Sequence, residues 1–154
     1  MQDNKTEIII LMADDDDDDF LLTSKALKQS KLLITLHRVK DGEELLTYLR
    51  HEAPYEDQSA YQRPGVILLD LHMPRKDGRE ALKEIKSDPM LTDIPVVVFT
   101  TSKAEEDVYR TYQLGVNSFI TKPVTFESLI DVMKTLGNYW FNIVTLPSNH
   151  DKTQ

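Results

Sequence analysis

The sequence predicts an α/β fold, a doubly wound parallel sheet of five strands with helices on both faces. Strand and helix patterns alternate five times along the 154 residues, an order typical of βα repeats joined by right-handed crossovers. Several predicted strands are continuous aliphatic runs, which indicates burial on both faces of the sheet. Polar residues follow these runs directly, so the carboxyl ends of the strands should bring polar groups to one edge.

The composition is that of one globular domain. Apolar residues make up 40% and charged residues 29% of the chain, and there is no cysteine, which excludes disulfides and thiolate chemistry. The net charge of −8 argues against nucleic-acid binding, which requires clustered Lys and Arg. No apolar run approaches the roughly 18 residues that cross a bilayer, and the polar start is unlike a signal peptide. We expect a cytoplasmic protein without a membrane partner.

The first strand is predicted at residues 7–13 and runs directly into six consecutive aspartates, residues 14–19. The first helix is predicted at residues 20–30, where apolar residues recur at helical spacing. Asp18 or Asp19 should cap this helix, because negative charge is favourable at a helix start.

The second strand is predicted at residues 34–39. Asp41 should cap the following helix, with Glu44 three residues later as its capping-box partner, and the helix should end near Arg50. Residues 51–65 lack periodicity and predict a long surface loop.

The third strand, residues 66–69, ends at Asp70. A carboxylate is costly to bury in the core, so Asp70 should emerge at the carboxyl end of the strand. Asp77 should cap the next helix, which ends before Pro89.

The fourth strand, residues 96–99, ends at Thr100. A capping box formed by Ser102 and Glu105 predicts the start of the fourth helix, and Gly115 predicts its end.

The fifth strand, residues 118–120, leads to Lys122. Thr125 should cap a final helix at about residues 126–139.

The predicted edge therefore combines carboxylates at Asp14 to Asp16 and at Asp70 with a hydroxyl at Thr100 and an amine at Lys122. Clustered carboxylates repel one another, and a divalent cation relieves that repulsion. Carboxylates with water and phosphate are the ligand set of Mg²⁺. Asp70 could act as a nucleophile towards phosphorus, while Lys122 and Thr100 could stabilise the transferred charge.

Five motifs of the chain occur together in the order and spacing of one known family. They are the acidic pair after the first strand, Ile67-Leu68-Leu69-Asp70-Leu71-His72-Met73-Pro74, Asp77-Gly78, Phe99-Thr100-Thr101 and Thr121-Lys122-Pro123. Over about residues 8–136 the chain resembles the receiver domain of two-component response regulators. The resemblance implies a flavodoxin-like fold with strand order 2-1-3-4-5. It also implies a phosphoacceptor signalling protein rather than an enzyme, whose partner is a histidine kinase.

The same resemblance implies the roles of individual residues. Asp70 would accept the phosphoryl group. Mg²⁺ would be bound by Asp14, Asp15, Asp70 and the backbone carbonyl of His72. Thr100 and Lys122 would contact the phosphoryl group, and Thr100 and Phe119 would form the switch.

Finer features resemble one subfamily, the single-domain regulators paired with bacterial-type phytochromes. These features are the Asp-rich first loop, the long loop at residues 51–65, Thr100-Thr101-Ser102, Gly115-Val116-Asn117-Ser118 and the ending at residues 139–147. The resemblance implies a phytochrome-type kinase as the partner.

The sequence predicts a polar N-terminus at residues 1–6, a receiver at residues 7–140 and an extension at residues 141–154. Residues 129, 132, 136 and 140 form one apolar stripe of the last helix, and further apolar residues remain outside it. These are Ile130, Met133, Phe141, Ile143, Val144 and Leu146. We expect them to form a two-fold dimer interface, centred on Trp140, Phe141, Ile143 and Val144. Alternatively, the tail folds back on its own sheet.

A phosphohydrolase of the dehalogenase type is the alternative function. Asp14 and Asp16 have the spacing of its nucleophile and acid, but this interpretation leaves Asp70 without a role, and the chain lacks a suitable acidic pair after Lys122.

About thirty residues follow Pro123, too few for a DNA-binding module, so we expect the protein to signal through contacts with other proteins.

Overall fold

The structure is a computed structural model that describes residues 7–30, 33–101 and 104–138. Within these ranges five strands alternate with five helices: β1 (Ile8–Ala13), α1 (Asp17–Gln29), β2 (Ile34–Val39), α2 (Gly42–Leu49), β3 (Val66–Leu69), α3 (Gly78–Ser87), β4 (Val96–Thr100), α4 (Glu105–Leu114), β5 (Ser118–Thr121) and α5 (Phe126–Asn138). The alternation predicted from the sequence is confirmed. The predicted outer limits of the domain, residues 1–6 and 141–154, lie outside the described residues.

All strand pairs are parallel, and the order across the sheet is β2-β1-β3-β4-β5. The register aligns the strand ends, because Ala13 pairs with Leu69, and Leu69 pairs with Val98. Further along the sheet, Thr100 pairs with Thr121. The predicted fold class and strand order are therefore confirmed, and the residues that follow these strands lie along one edge.

The core lies on both faces of the sheet, which explains the unbroken aliphatic runs of β1 and β3. Leu11 and Ile67 point to the face covered by α2 and α3, whereas Met12 and Leu68 point to the face covered by α1 and α5. Side chains of a strand alternate between faces, so a strand covered on both sides has no polar positions. Each such fully buried aliphatic side chain contributes about 1.5–3 kcal/mol to stability.

Three predicted helix caps are confirmed by hydrogen bonds from the backbone N–H three residues later. They are Asp41 with Glu44 (2.8 Å), Asp77 with Glu80 (3.1 Å) and Thr125 with Ser128 (3.1 Å). Gly115 ends α4 in the left-handed region at φ 102°, a conformation that favours glycine.

The predicted start of α1 is wrong by three residues. The helix begins at Asp17, and Asp16 is its N-cap, because its side chain accepts hydrogen bonds from the N–H groups of Asp18 and Asp19. The apolar pattern begins only at Phe20, since the first turn is acidic. Acidic residues suit that turn because the helix dipole is positive there.

The capping box predicted for α4 is also wrong. The helix begins at Glu105, and its N-cap is Ala104, which provides no side-chain hydrogen bond. Glu105 is thus the first helical residue rather than the third, and Ser102 lies outside the described residues. A tertiary contact anchors the first turn instead, because the guanidinium of Arg79 donates two hydrogen bonds of 2.8 Å to the Asp107 carboxylate.

The last helix, α5, buries more of its apolar residues than the sequence pattern predicted. Met133 is fully buried between α5 and the sheet, and Ile130 packs against the same cluster. Assigning Met133 to a partner surface was therefore wrong, since the stripe that faces the sheet is wider than the predicted one, whereas Ile130 is only partly buried. The proposed interface residues Trp140, Phe141, Ile143 and Val144 lie outside the described residues.

Residues 51–65 contain no strand or α-helix, as predicted, but they are well anchored. The rings of Tyr48, Tyr55 and Tyr61 contact one another at centroid distances of 4.9–5.9 Å. The Tyr48 hydroxyl donates a hydrogen bond to the carbonyl of Gln62 at 3.0 Å. Burial raises the pKa of Tyr48 to about 12, so its hydroxyl remains a donor at neutral pH.

Candidate functional site

The structure places the predicted acceptor, metal and phosphoryl-contact residues at the carboxyl edge of the sheet: Asp14, Asp15, Asp70, Thr100 and Lys122. The backbone N–H of Asp70 continues the β1–β3 ladder by bonding to the carbonyl of Ala13 at 3.0 Å. The backbone N–H of Lys122 bonds in the same way to the carbonyl of Thr100 at 2.8 Å. These backbone bonds align the ends of the strands, and the side chains of Asp70 and Lys122 meet at this edge.

Asp70 is only 6% exposed, and both of its carboxylate oxygens accept hydrogen bonds. Its Oδ1 accepts from the hydroxyl of Thr100 at 2.7 Å and from the backbone N–H of His72 at 3.1 Å. Its Oδ2 accepts from Nζ of Lys122 at 3.1 Å. Gly78 packs against the backbone of Asp70 so closely that a Cβ there would lie 2.2 Å from its carbonyl oxygen. This close approach explains the glycine of the Asp77-Gly78 motif.

Lys122 is the cation at the centre of the site, with a side chain only 8% exposed. Its Nζ lies 2.6 Å from Asp14, 2.6 Å from Asp19 and 3.1 Å from Asp70. Burial by itself lowers the pKa of Lys122. The hydrogen bonds to Asp14 and Asp19 and the nearby negative charges outweigh burial, so the pKa lies above its usual value. The ammonium is therefore fully charged at neutral pH.

Three carboxylates at this edge fit a divalent cation. Asp14, Asp15 and Asp70 each offer one oxygen, and these oxygens lie within 4.8 Å of one another. Asp14 is 1% exposed, and burial raises its pKa despite the opposing hydrogen bonds from Lys122 and from the N–H of Asp16. Carboxylate oxygens at this spacing match the preference of Mg²⁺ and related hard ions.

Arg38 of β2 supports the acidic loop, and sequence reasoning missed it. Its Nε donates to the carbonyl of Asp14 at 3.0 Å, and its Nη1 lies 2.8 Å from the carboxylate of Asp17. Its guanidinium also stacks over the ring of Phe20 at 5.0 Å. One side chain thus joins the end of β1 to the first turn of α1. The sequence around Arg38 does not predict this role, because Arg38 lies on β2 and the residues it contacts lie at the end of β1 and in α1.

Phe119 and Thr100, the predicted switch residues, lie on the neighbouring strands β5 and β4. Phe119 is partly buried against the cluster covered by α2 and α3. Its backbone N–H donates to the hydroxyl of Tyr112 at 3.1 Å, so α4 is tied to β5 at this residue. Sequence reasoning did not identify Tyr112, and the switching role of Phe119 stays a prediction.

This combination of fold and site defines a class of protein. A parallel sheet of order 2-1-3-4-5 presents one nearly buried carboxylate, which is contacted by a hydroxyl and an ammonium beside an acid cluster. Such an edge is suited to a phosphoryl-accepting signalling domain.

Comparison with known proteins identifies the family. Residues 10–134 match the model of the response regulator receiver domain, and the chain therefore belongs to the response regulator receiver family. It is a signalling protein of two-component systems, the partner of which is a histidine kinase. No helix in the described ranges is long and apolar enough to span a bilayer.

Several relatives share nearly the whole chain. Response regulator Rcp1 of Synechocystis sp. is 41% identical over 127 residues, which are 82% of this chain and 84% of Rcp1. The crystal structure of the phosphorylated cyanobacterial phytochrome response regulator RcpA is 42% identical with a TM-score of 0.85, covering 93% of this chain and 100% of that chain. The Mn²⁺-bound form of Rcp1 is 40% identical with a TM-score of 0.83, covering 92% and 99%.

Proposed function

We propose that Asp70 is the phosphoacceptor of this chain. The observation that carries the proposal is the pair of donors on its carboxylate, the Thr100 hydroxyl on one oxygen and the Lys122 ammonium on the other. The same two donors are positioned to contact a phosphoryl group once it is attached. Asp14 and Asp15 supply the negative charge that a divalent cation requires beside it.

The two donors on Asp70 support a transfer of the phosphoryl group from a phosphohistidine. A carboxylate oxygen of Asp70 attacks phosphorus, and the new O–P bond forms as the P–N bond to the donor imidazole breaks. The imidazole nitrogen keeps the electron pair of that bond and takes a proton from solvent. Lys122 offsets the charge of the arriving phosphoryl oxygens, and Thr100 turns its hydroxyl towards one of them.

The metal ion of this site is proposed to be Mg²⁺. Asp14, Asp15 and Asp70 would hold it, together with the backbone carbonyl of His72. When bound, it supplies positive charge that offsets the negative charge of the phosphoryl oxygens. The Mn²⁺-bound form of the relative Rcp1 supports a divalent ion of this class.

Mg²⁺ should stabilise the folded chain, because only the folded state brings the three carboxylates together. At a hundredfold excess over its dissociation constant, the gain is about 2.7 kcal/mol. Calorimetric melting in EDTA and in millimolar Mg²⁺ at constant ionic strength would measure it. Asp15→Asn should lose most of the shift, whereas Asp131→Asn, an exposed acid on α5, should keep it. An Mg²⁺-independent melting temperature in the wild-type chain would contradict the metal site.

The partner kinase is proposed to be of the phytochrome type. The relative RcpA supports this proposal, since it is a cyanobacterial phytochrome response regulator. A radiolabelled phytochrome-type kinase should transfer its phosphate to this chain faster than a kinase of another sensory class. Equal or slower transfer from the phytochrome-type kinase would contradict the pairing.

Self-association through the C-terminal segment is proposed from the apolar residues Trp140, Phe141, Ile143 and Val144. A chain truncated after Asn138 should sediment as a monomer, whereas a chain that lacks only the polar residues 148–154 should remain a dimer. Sedimentation equilibrium measures both. An unchanged oligomeric state after the longer truncation removes the proposal and favours a tail that folds back on its own sheet.

The phosphohydrolase alternative has less support. It needs Asp14 as the nucleophile and Asp16 as the acid, but the Asp16 carboxylate is occupied as the N-cap of α1. This alternative also leaves Asp70 without a role, although Thr100 and Lys122 both donate hydrogen bonds to its carboxylate.

A further inference from the structure

The contacts of Asp19 distinguish it from the other residues of the acidic run outside the metal site. It lies in the first turn of α1, and its Oδ2 is 2.6 Å from Nζ of Lys122. That distance equals the distance from Nζ to Asp14 and is shorter than the 3.1 Å to Asp70. The ammonium is thus held more closely by its two other partners than by the acceptor.

The hydrogen-bonding capacity of Lys122 is fully used in this arrangement. An ammonium has three N–H donors, and three carboxylates, Asp14, Asp19 and Asp70, take one each. A phosphoryl oxygen can receive a hydrogen bond from Nζ only when one of these contacts lengthens. The availability of the ammonium during transfer therefore depends on which carboxylate releases it.

We propose that Asp19 is a positioning residue that restrains Lys122 and thereby slows phosphoryl uptake by Asp70. The inference rests on the proposed function of Asp70 and Lys122 and extends it to a residue outside the acceptor and the metal ligands. Asp19 acts only through Lys122 and does not itself touch the reacting atoms.

Differences in burial and in partners make Asp19 the carboxylate that releases the ammonium. Its side chain is 33% exposed, whereas that of Asp14 is 1% exposed. Water can therefore replace Lys122 at Asp19 at little cost, but a buried carboxylate that loses its partner is strongly destabilised. Asp14 also belongs to the metal site. Asp19 thus competes for the ammonium before transfer and gives it up as the phosphoryl group arrives.

The matched pair Asp19→Asn and Asp18→Asn tests this inference in the full chain. Both variants remove one negative charge from the first turn of α1, so their effects on the helix dipole and on the approach of an anionic donor are similar. Only Asp19 contacts Lys122, since the exposed Asp18 side chain has no ion-pair partner among the described residues. Uptake from phosphoramidate in saturating Mg²⁺ is measured as a function of donor concentration, with melting curves as a check on folding.

The maximal uptake rate of Asp19→Asn should exceed that of Asp18→Asn by about fivefold, the rate change equivalent to a partly exposed ion pair. The donor concentration at half-maximal rate should be the same in both variants, because the charge removed is the same. A maximal rate equal to or below that of Asp18→Asn overturns the role of Asp19 while leaving Asp70 as acceptor. If the wild-type chain takes up no phosphate, both the proposed function and this inference fail.

Discussion

Asp70→Asn should abolish phosphoryl uptake and leave the fold intact. The amide nitrogen is not a nucleophile towards phosphorus, and removing a reacting nucleophile typically lowers the rate by more than about 10³-fold. The side chain keeps its size, and its carbonyl oxygen can still accept the hydrogen bond from Thr100. Loss of one like charge beside Asp14 should leave the free energy of unfolding unchanged or slightly higher.

Phosphopeptide mapping after labelling with a small phosphodonor in Mg²⁺ provides the readout. The wild-type chain should carry the label on Asp70, and the control Asp131→Asn should label at the wild-type rate. Label on Asp14, or persistent label in Asp70→Asn, would refute the receiver mechanism and favour the phosphohydrolase.

Lys122→Met should cause the largest loss of stability among single substitutions at this edge. It removes the cation that lies between Asp14 and Asp70, which are 1% and 6% exposed. Removing one partner of a buried ion pair leaves uncompensated charge and costs about 3 kcal/mol in the free energy of unfolding. Mg²⁺ should restore much of this loss, because it supplies positive charge to the same carboxylates.

The pH dependence of this variant has a definite sign. The pKa of Asp14 is already raised above 3.8 by burial, and loss of Lys122 removes hydrogen-bonding and charge effects that lower it. The folded state then binds more protons than the unfolded state between 3.8 and the raised pKa. Stability relative to the wild-type chain should therefore recover as the pH falls through the raised pKa.

Urea denaturation in EDTA and in Mg²⁺ measures these effects, with Lys25→Met as the control. Lys25 is an exposed lysine of α1 with no ion-pair partner among the described residues. If Lys122→Met matches Lys25→Met in the absence of metal, the ammonium does not neutralise the acid cluster and the account of the site is wrong.

Local patterns were sufficient to predict most of the elements and the principal site. The aliphatic runs of β1, β3 and β4 identify buried strands regardless of their neighbours, and Asp41 and Asp77 cap their own helices. Asp70 and Lys122 were predictable as site residues because parallel strands place their carboxyl ends at one edge. Predicting that either residue lies at this edge requires no knowledge of side-chain packing.

The sequence by itself thus determined the order of the elements, the class of the sheet and the edge at which the chemistry lies. Only the tertiary structure decided the ion pair of Arg79 with Asp107 in the first turn of α4 and the burial of Met133. It also decided that Asp19 contacts Lys122, 103 positions along the chain. Backbone periodicity and caps act over a few residues, whereas these contacts depend on how whole elements pack against one another.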